Sequence, residues 1–264
     1  MALSQRFVSR VMNFPKHLSS VVRTYVNQHQ NFEVQESGLN YEGHRPTTFF
    51  QKGLLAAGSA IAAINNPLRS DMVATLGETT GYYALRQLQL QMLNDETGIR
   101  ILKEKPIVDS EKVKVEELLQ LPQNTFGYTY AKFMASNGLS SNTRPLVHYL
   151  DDSELAYIMK RYRQIHDFIH TILCFSVTVP AELVVKWFEF AHFGFPMATL
   201  ASVFGPLPLS LEDKKEVTKF IPWAVYNGLN AKQFLNVYFE ERFEQDFKSL
   251  KEDLGLLSPP YDTF

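Results

Sequence analysis

The chain has 264 residues, of which 45% are hydrophobic, so it can bury a substantial core as one large domain or two small ones. Its formal net charge of −2 argues against nucleic acid as the main partner, because nucleic-acid-binding domains usually carry a basic stripe. The single cysteine, Cys174, excludes an intramolecular disulfide and fits a reducing compartment.

The N-terminal 32 residues differ from the rest of the chain. They contain four Lys and Arg side chains but no Asp or Glu, and the first acid is Glu33. A basic, acid-free and amphipathic composition is typical of a mitochondrial transit peptide; a frayed basic terminus is the alternative interpretation. We therefore predict a transit-like segment over residues 1–43 and a folded domain over residues 44–264.

The next elements along the chain are predicted to be helices. Residues 49–64 form a predicted helix rich in Gly and Ala, which would let another backbone or a lipid chain approach closely, although ordinary tight packing gives the same pattern. Helical spacing continues from Asp71, through residues 83–93 up to Gly98, and again over residues 129–137. Strand signals are nearly absent, so the predicted fold class is all-α, with one multi-helix domain and an apolar groove.

Two segments in the C-terminal half are rich in apolar residues. Residues 190–211 contain no Asp, Glu, Lys or Arg, but three prolines interrupt them, which favours a buried or interface-lying hairpin over a membrane span. Residues 231–254 carry an apolar stripe at helical spacing and are predicted to form an amphipathic helix that ends at Gly255.

The most informative motif lies on a long helix predicted to end near residue 175. His166 and His170 are four residues apart, so their imidazoles share one helical face and can bind one divalent ion. Asp167 can reach the same ion or orient a ligand. Glu182 follows Pro180, which starts a second helix; if that helix turns back, the Glu182 carboxylate comes to lie over the imidazoles.

Two imidazoles and two carboxylates suit zinc best, with manganese, iron and magnesium as competitors. The same spacing with Glu in place of Asp167 is the zincin protease signature. A metallohydrolase with Asp167 as general base is therefore a rival hypothesis.

The motif residues and several other segments together resemble the mitochondrial ubiquinone (coenzyme Q) biosynthesis protein family Coq4. The likeness covers about residues 46–260. The matching segments are QKGLLAAGS (51–59), DMVA (71–74), LGETTG (76–81), ELAY (154–157), RYR (161–163), VKWFE (185–189) and IPWA (221–224).

The resemblance implies a function that spacing alone does not. It implies Zn²⁺ bound by His166, Asp167, His170 and Glu182. It also implies a peripheral protein on the matrix side of the mitochondrial inner membrane, in a multi-subunit complex with other ubiquinone biosynthesis enzymes; a homo-oligomer is left open. The implied activity is that of a carboxy-lyase, which removes the C1 carboxylate from a polyprenylated 4-hydroxy-3-methoxybenzoate and gives a methoxy-polyprenylphenol. Some accounts couple this loss to C1 hydroxylation, and an alternative is a non-catalytic lipid-binding scaffold.

Three further residues near the motif are candidates for catalysis. A bound benzoate needs a basic group near the metal, and we predict Arg163 first and Lys186 second for that role, with a structural cation as the alternative for each. Tyr162, one turn before His166, is a candidate to supply or relay a proton.

Overall fold

The computed structural model describes residues 40–66 and 69–263, and in these ranges the regular secondary structure is helical. The predicted all-α single domain is confirmed. Residues 1–39 of the predicted transit-like segment lie outside the described residues. The α-helices are α1 (Phe49–Asn65), α2 (Ser70–Thr80), α3 (Tyr82–Leu93), α4 (Glu96–Glu104), α5 (Val115–Leu118), α6 (Phe126–Asn137), α7 (Ser153–Leu173), α8 (Val179–Phe193), α9 (Pro196–Phe204), α10 (Leu211–Asn230) and α11 (Phe247–Asp253).

Helix α7 runs through the centre of the domain. Of its 21 residues, 15 are buried, so it has almost no solvent-facing side. The Asp152 side chain caps its N-terminus by accepting from the amides of Glu154 and Leu155. The helix ends at Leu173, and the next residue, Cys174, takes the left-handed conformation with a φ of 62°. The histidine motif therefore sits on a rigid, buried helix.

Helix α8 returns antiparallel to α7. Pro180 occupies its first turn, as the sequence predicts, and the Thr178 side chain caps it. On its far side α8 packs against α10, and Gly228 of α10 permits the close approach. A Cβ atom added at Gly228 would lie 2.6 Å from the Phe188 carbonyl oxygen and 2.8 Å from the Ala191 Cβ. The contact with α10 thus fixes the position of the helix that carries Glu182.

Two predictions about the secondary structure were wrong, and one helix was missed. Gly98 does not close the helix before it but lies in the first turn of α4. Helix α10 was not predicted; it contains Pro222. The stretch 231–254 is not one helix: it contains two 3₁₀ turns, Phe234–Asn236 and Phe239–Glu241, followed by α11.

The tail is irregular because its backbone groups bond to other segments. The Phe243 and Gln245 carbonyls accept from the Gly127 and Phe126 amides at the start of α6. The tail therefore satisfies the free N-terminal amides of α6, which a continuous helix would not allow.

The uncharged stretch 190–211 folds as the end of α8, then α9 and a turn. Val203, Phe204, Leu207 and Leu211 are exposed in this region. Within the described ranges, no helix is both long enough and apolar enough to cross a bilayer.

Replacing Gly228 by Ala should lower the free energy of unfolding by about 1–3 kcal/mol, because the new methyl group overpacks the contact between α8 and α10. The matched control is Gly58→Ala in α1, where the added Cβ meets open space, and it should raise the free energy of unfolding by about 0.5–1 kcal/mol. Urea denaturation followed by circular dichroism measures both. Equal effects of the two substitutions would contradict the assigned packing.

Candidate metal centre

Two turns of α7 and the first turn of α8 bring three potential metal ligands together. One ligand atom from each of His166, His170 and Glu182 lies within 4.8 Å of the other two. The Glu182 carboxylate bridges the imidazoles: one oxygen is 2.9 Å from His170 Nε2 and the other is 3.5 Å from His166 Nε2. The predicted convergence of the two helices is therefore present.

Both imidazoles are held by their Nδ1 atoms. His170 Nδ1 lies 2.9 Å from the Ser176 carbonyl oxygen. His166 Nδ1 lies 2.7 Å from a carboxylate oxygen of Glu189. Because carbonyl and carboxylate oxygens accept, we assign a proton to Nδ1 in each ring, so that Nε2, which faces Glu182, is the atom available to a metal ion. This orientation is typical of histidines that bind metals.

The Glu189 carboxylate is fully buried and joins three polar groups of the site. Besides His166, it accepts from the Tyr162 hydroxyl at 2.8 Å and from the Lys186 ammonium at 2.7 Å. Burial alone would raise the pKa of Glu189, but Lys186 and His166 outweigh it and lower the pKa to about 2. Glu189 was not among the predicted site residues. Its position seven residues after Glu182, on the same face of α8, is the signal that could have identified it.

Lys186 places a positive charge beside the two carboxylates of the site. Its ammonium lies 3.1 Å from Glu182 and 2.7 Å from Glu189. Burial lowers the pKa of Lys186, but the two carboxylates and Tyr162 outweigh this and raise it well above its usual value. Lys186 therefore remains protonated.

The imidazole of His166 also responds to these charges. Burial and the Lys186 ammonium lower the pKa of His166, but the carboxylates of Glu189 and Glu182 raise it to about 10. A metal ion must displace this proton in order to bind, so binding releases a proton.

Asp167 is not brought into the three-ligand group. Its carboxylate forms an ion pair with Arg144, which also donates to the carbonyl oxygens of Ser141 and Val108. The next residue along a helix points about 100° away, which explains why Asp167 and His166 face different neighbours. The structure thus unites three of the four predicted ligands.

The two predicted cations, Arg163 and Lys186, also have different surroundings. Arg163 donates to Glu78 at 2.7 Å and to the carbonyl oxygens of Ala74, Pro145 and Leu146. These contacts fit the alternative interpretation, a structural cation. Of the two predicted cations, Lys186 is the one that contacts Glu182.

The three donors fit a catalytic metal site. Catalytic zinc commonly has three protein ligands, including sets of two His and one Glu, and keeps one position for water or substrate. The His170 side chain is 2% exposed, whereas that of Glu182 is 35% exposed, so the site opens on the Glu182 side. With three protein donors, a fourth coordination position is left for water or substrate.

Comparison with known proteins gives consistent matches. The family model described as "Coenzyme Q (ubiquinone) biosynthesis protein Coq4" matches residues 41–260. The "Ubiquinone biosynthesis protein COQ4 homolog, mitochondrial" of Xenopus tropicalis is 46% identical over 220 residues, 83% of this chain and 79% of that protein. The protein of the same name from Homo sapiens is 44% identical over 225 residues, 85% of each chain.

A solved structure shows the same fold. It is a crystal structure from Nostoc punctiforme, of a protein named only provisionally for ubiquinone biosynthesis. It aligns with a TM-score of 0.61 and 19% identity over 80% of this chain and 100% of that chain. At this identity the match supports the fold alone.

Purified wild-type protein loaded with Zn²⁺ should hold one ion per chain, and His170→Ala should hold none, because the substitution removes one of three donors. Asp167→Asn should keep the ion but lower the free energy of unfolding by about 1–2 kcal/mol, because Arg144 loses its partner. Elemental analysis after gel filtration measures the metal content. If Asp167→Asn lost the metal as completely as His170→Ala, Asp167 would be a fourth ligand.

Proposed function

The chain belongs to the family of the coenzyme Q (ubiquinone) biosynthesis protein Coq4, and we propose that it is a metal-dependent carboxy-lyase of that pathway. The proposed reaction removes the C1 carboxylate from a polyprenylated 4-hydroxy-3-methoxybenzoate and gives a methoxy-polyprenylphenol. One observation carries the proposal: three potential metal ligands lie beside the Lys186 ammonium, which is 15% exposed, at a site that opens on one side.

The charges of the site suit an anionic substrate. With neutral imidazoles, Glu182, Glu189 and Lys186 together carry one negative charge. A divalent ion would change this to one positive charge, which a benzoate carboxylate would neutralise. Asp167 does not alter this balance because Arg144 already neutralises it.

The reaction itself is a replacement of carbon dioxide by a proton. C1 gains a proton, the bond from C1 to the carboxylate carbon breaks, and the electron pair of that bond returns to the ring. No oxidant is required. When bound by His166, His170 and Glu182, a divalent cation such as Zn²⁺ would supply Lewis-acid stabilisation of negative charge on the substrate.

Two residues of the chain have distinct roles in this proposal. Lys186 pairs with the substrate carboxylate; its raised pKa suits a permanent charge partner better than a proton donor. The Tyr162 hydroxyl donates to Glu189, and burial raises the pKa of Tyr162 well above its usual value. We therefore assign Tyr162 to positioning Glu189, and the proton for C1 to solvent water.

In this proposal, α1 provides the surface that contacts the polyprenyl tail and the membrane. Of its five exposed large apolar side chains, four (Phe50, Leu54, Ile61 and Ile64) are spaced three, four or seven residues apart, and Phe49 is the fifth. No charged residue occurs between Lys52 and Arg69. Each CH₂ removed from water contributes about 0.8 kcal/mol, which favours seating a lipid chain on this face. We propose that the protein binds peripherally to the matrix side of the inner membrane, together with other enzymes of the pathway.

The transit-like segment predicted over residues 1–43 accords with the names of the relatives, which call them mitochondrial.

The test is release of labelled carbon dioxide from a carboxyl-labelled prenylated benzoate by Zn²⁺-loaded protein. In D₂O the product should carry deuterium at C1, whereas incorporated oxygen would indicate an oxidative reaction instead. Folded His166→Ala should release none. If the wild-type protein also released none, while His166→Ala only disrupted the enzyme complex, the scaffold alternative would be favoured.

Replacing Lys186 by Met should reduce kcat/KM about 10- to 100-fold, because a charge-assisted hydrogen bond to the substrate contributes about 1.5–3 kcal/mol. The metal content should remain that of the wild type. The control is Lys114→Met, an exposed lysine paired only with Glu117, which should leave the rate unchanged. Equal rates for the two variants would remove Lys186 from the mechanism.

A further inference from the structure

The polar network around His166 centres on a carboxylate that is not itself in the three-ligand group. Glu189 is fully buried, and its two oxygens accept from His166 Nδ1, the Tyr162 hydroxyl and the Lys186 ammonium at 2.7–2.8 Å. These contacts tie His166 on α7 to Lys186 on α8. Such a buried ion is costly unless its position is fixed by several partners.

We propose that Glu189 is a positioning residue for the metal site, acting through His166. Its carboxylate holds the Nδ1–H of His166, which fixes the tautomer and directs the Nε2 lone pair toward the ion. This inference rests on the metal site of the proposed function but not on the reaction.

The two histidines are held in different ways, which makes the inference testable. His170 Nδ1 lies against the Ser176 carbonyl oxygen, so the backbone fixes that ring whatever residue stands at position 189. His166 depends on a side chain. A change at Glu189 should therefore disturb one ligand and leave the other in place.

The chemistry of the site requires an acceptor at this position. All three neighbours of Glu189 donate, and an ionised carboxylate only accepts. A Gln side chain has the same shape, but its NH₂ group would face at least one of these donors. Glu189→Gln must therefore leave a buried donor unpaired or turn the His166 ring.

The first test is Co²⁺ binding, followed by the visible absorption of the bound ion. Glu189→Gln should weaken Co²⁺ binding about 10- to 100-fold, the range usual for the loss of a carboxylate that orients a metal-bound histidine. Glu189→Asp keeps the charge but is one methylene shorter, so it should also weaken binding. This second variant keeps the proposal testable if the Gln variant does not fold.

The matched control is Glu78→Gln in α2. Glu78 is likewise buried and accepts from three donors, the Arg163 guanidinium and the amides of His148 and Tyr149. The control should lower stability while leaving Co²⁺ affinity unchanged. A merely structural role for Glu189 predicts the same behaviour as the control.

The second readout is the His166 Nδ1 proton in ¹⁵N-histidine-labelled, Zn²⁺-loaded protein. It should exchange slowly in the wild type and rapidly in Glu189→Gln, while the His170 Nδ1 proton stays protected in both. Wild-type Co²⁺ affinity in the folded Glu189 variants, or an unchanged His166 signal, would overturn the proposal. A wild type that binds Co²⁺ but releases no carbon dioxide would contradict only the proposed reaction.

Discussion

The antiparallel contact between α7 and α8 is the constraint on which the site depends. Neither helix alone contains the three donors, because the imidazoles lie on α7 and the Glu182 carboxylate lies on α8. Two pairs of side chains link the helices. His170 pairs with Glu182, and His166 pairs with Glu189, which lies about two turns further along α8. Packing of α10 against the other face of α8, at Gly228, keeps these levels in register.

Much of the site could be predicted because helical spacing is short-range information. Four residues along one helix place His166 and His170 on one face, and Pro180 marks the start of the next helix, whatever the rest of the fold does. The direction of Asp167 could not be predicted in this way. Its partner, Arg144, lies 23 residues earlier, in a loop whose path depends on tertiary contacts.

The same distinction explains the errors in the fold. The apolar stripe of residues 231–254 has helical spacing, but the carbonyls of Phe243 and Gln245 bond to the start of α6, more than a hundred residues away in the sequence. Periodicity indicates which side chains are buried, and most side chains of this stripe are buried, including Leu235, Phe239, Leu250 and Leu254. It does not indicate which backbone partner satisfies each carbonyl, and here a tertiary partner outweighs the local pattern.

The buried charges around Glu189 are better explained by function than by stability. Removing a carboxylate and an ammonium from water costs several kcal/mol each, and buried ion pairs are often no more stabilising than apolar side chains of similar size. The neighbouring core shows that apolar packing is available here: Phe188 and Val185, which flank the network on α8, are fully buried. Glu189 and Lys186 nevertheless occupy positions on α8 that aliphatic side chains of similar volume could fill. What aliphatic side chains cannot do is fix an imidazole tautomer and balance the charge of a bound cation and an anionic substrate, and the network has the composition for both.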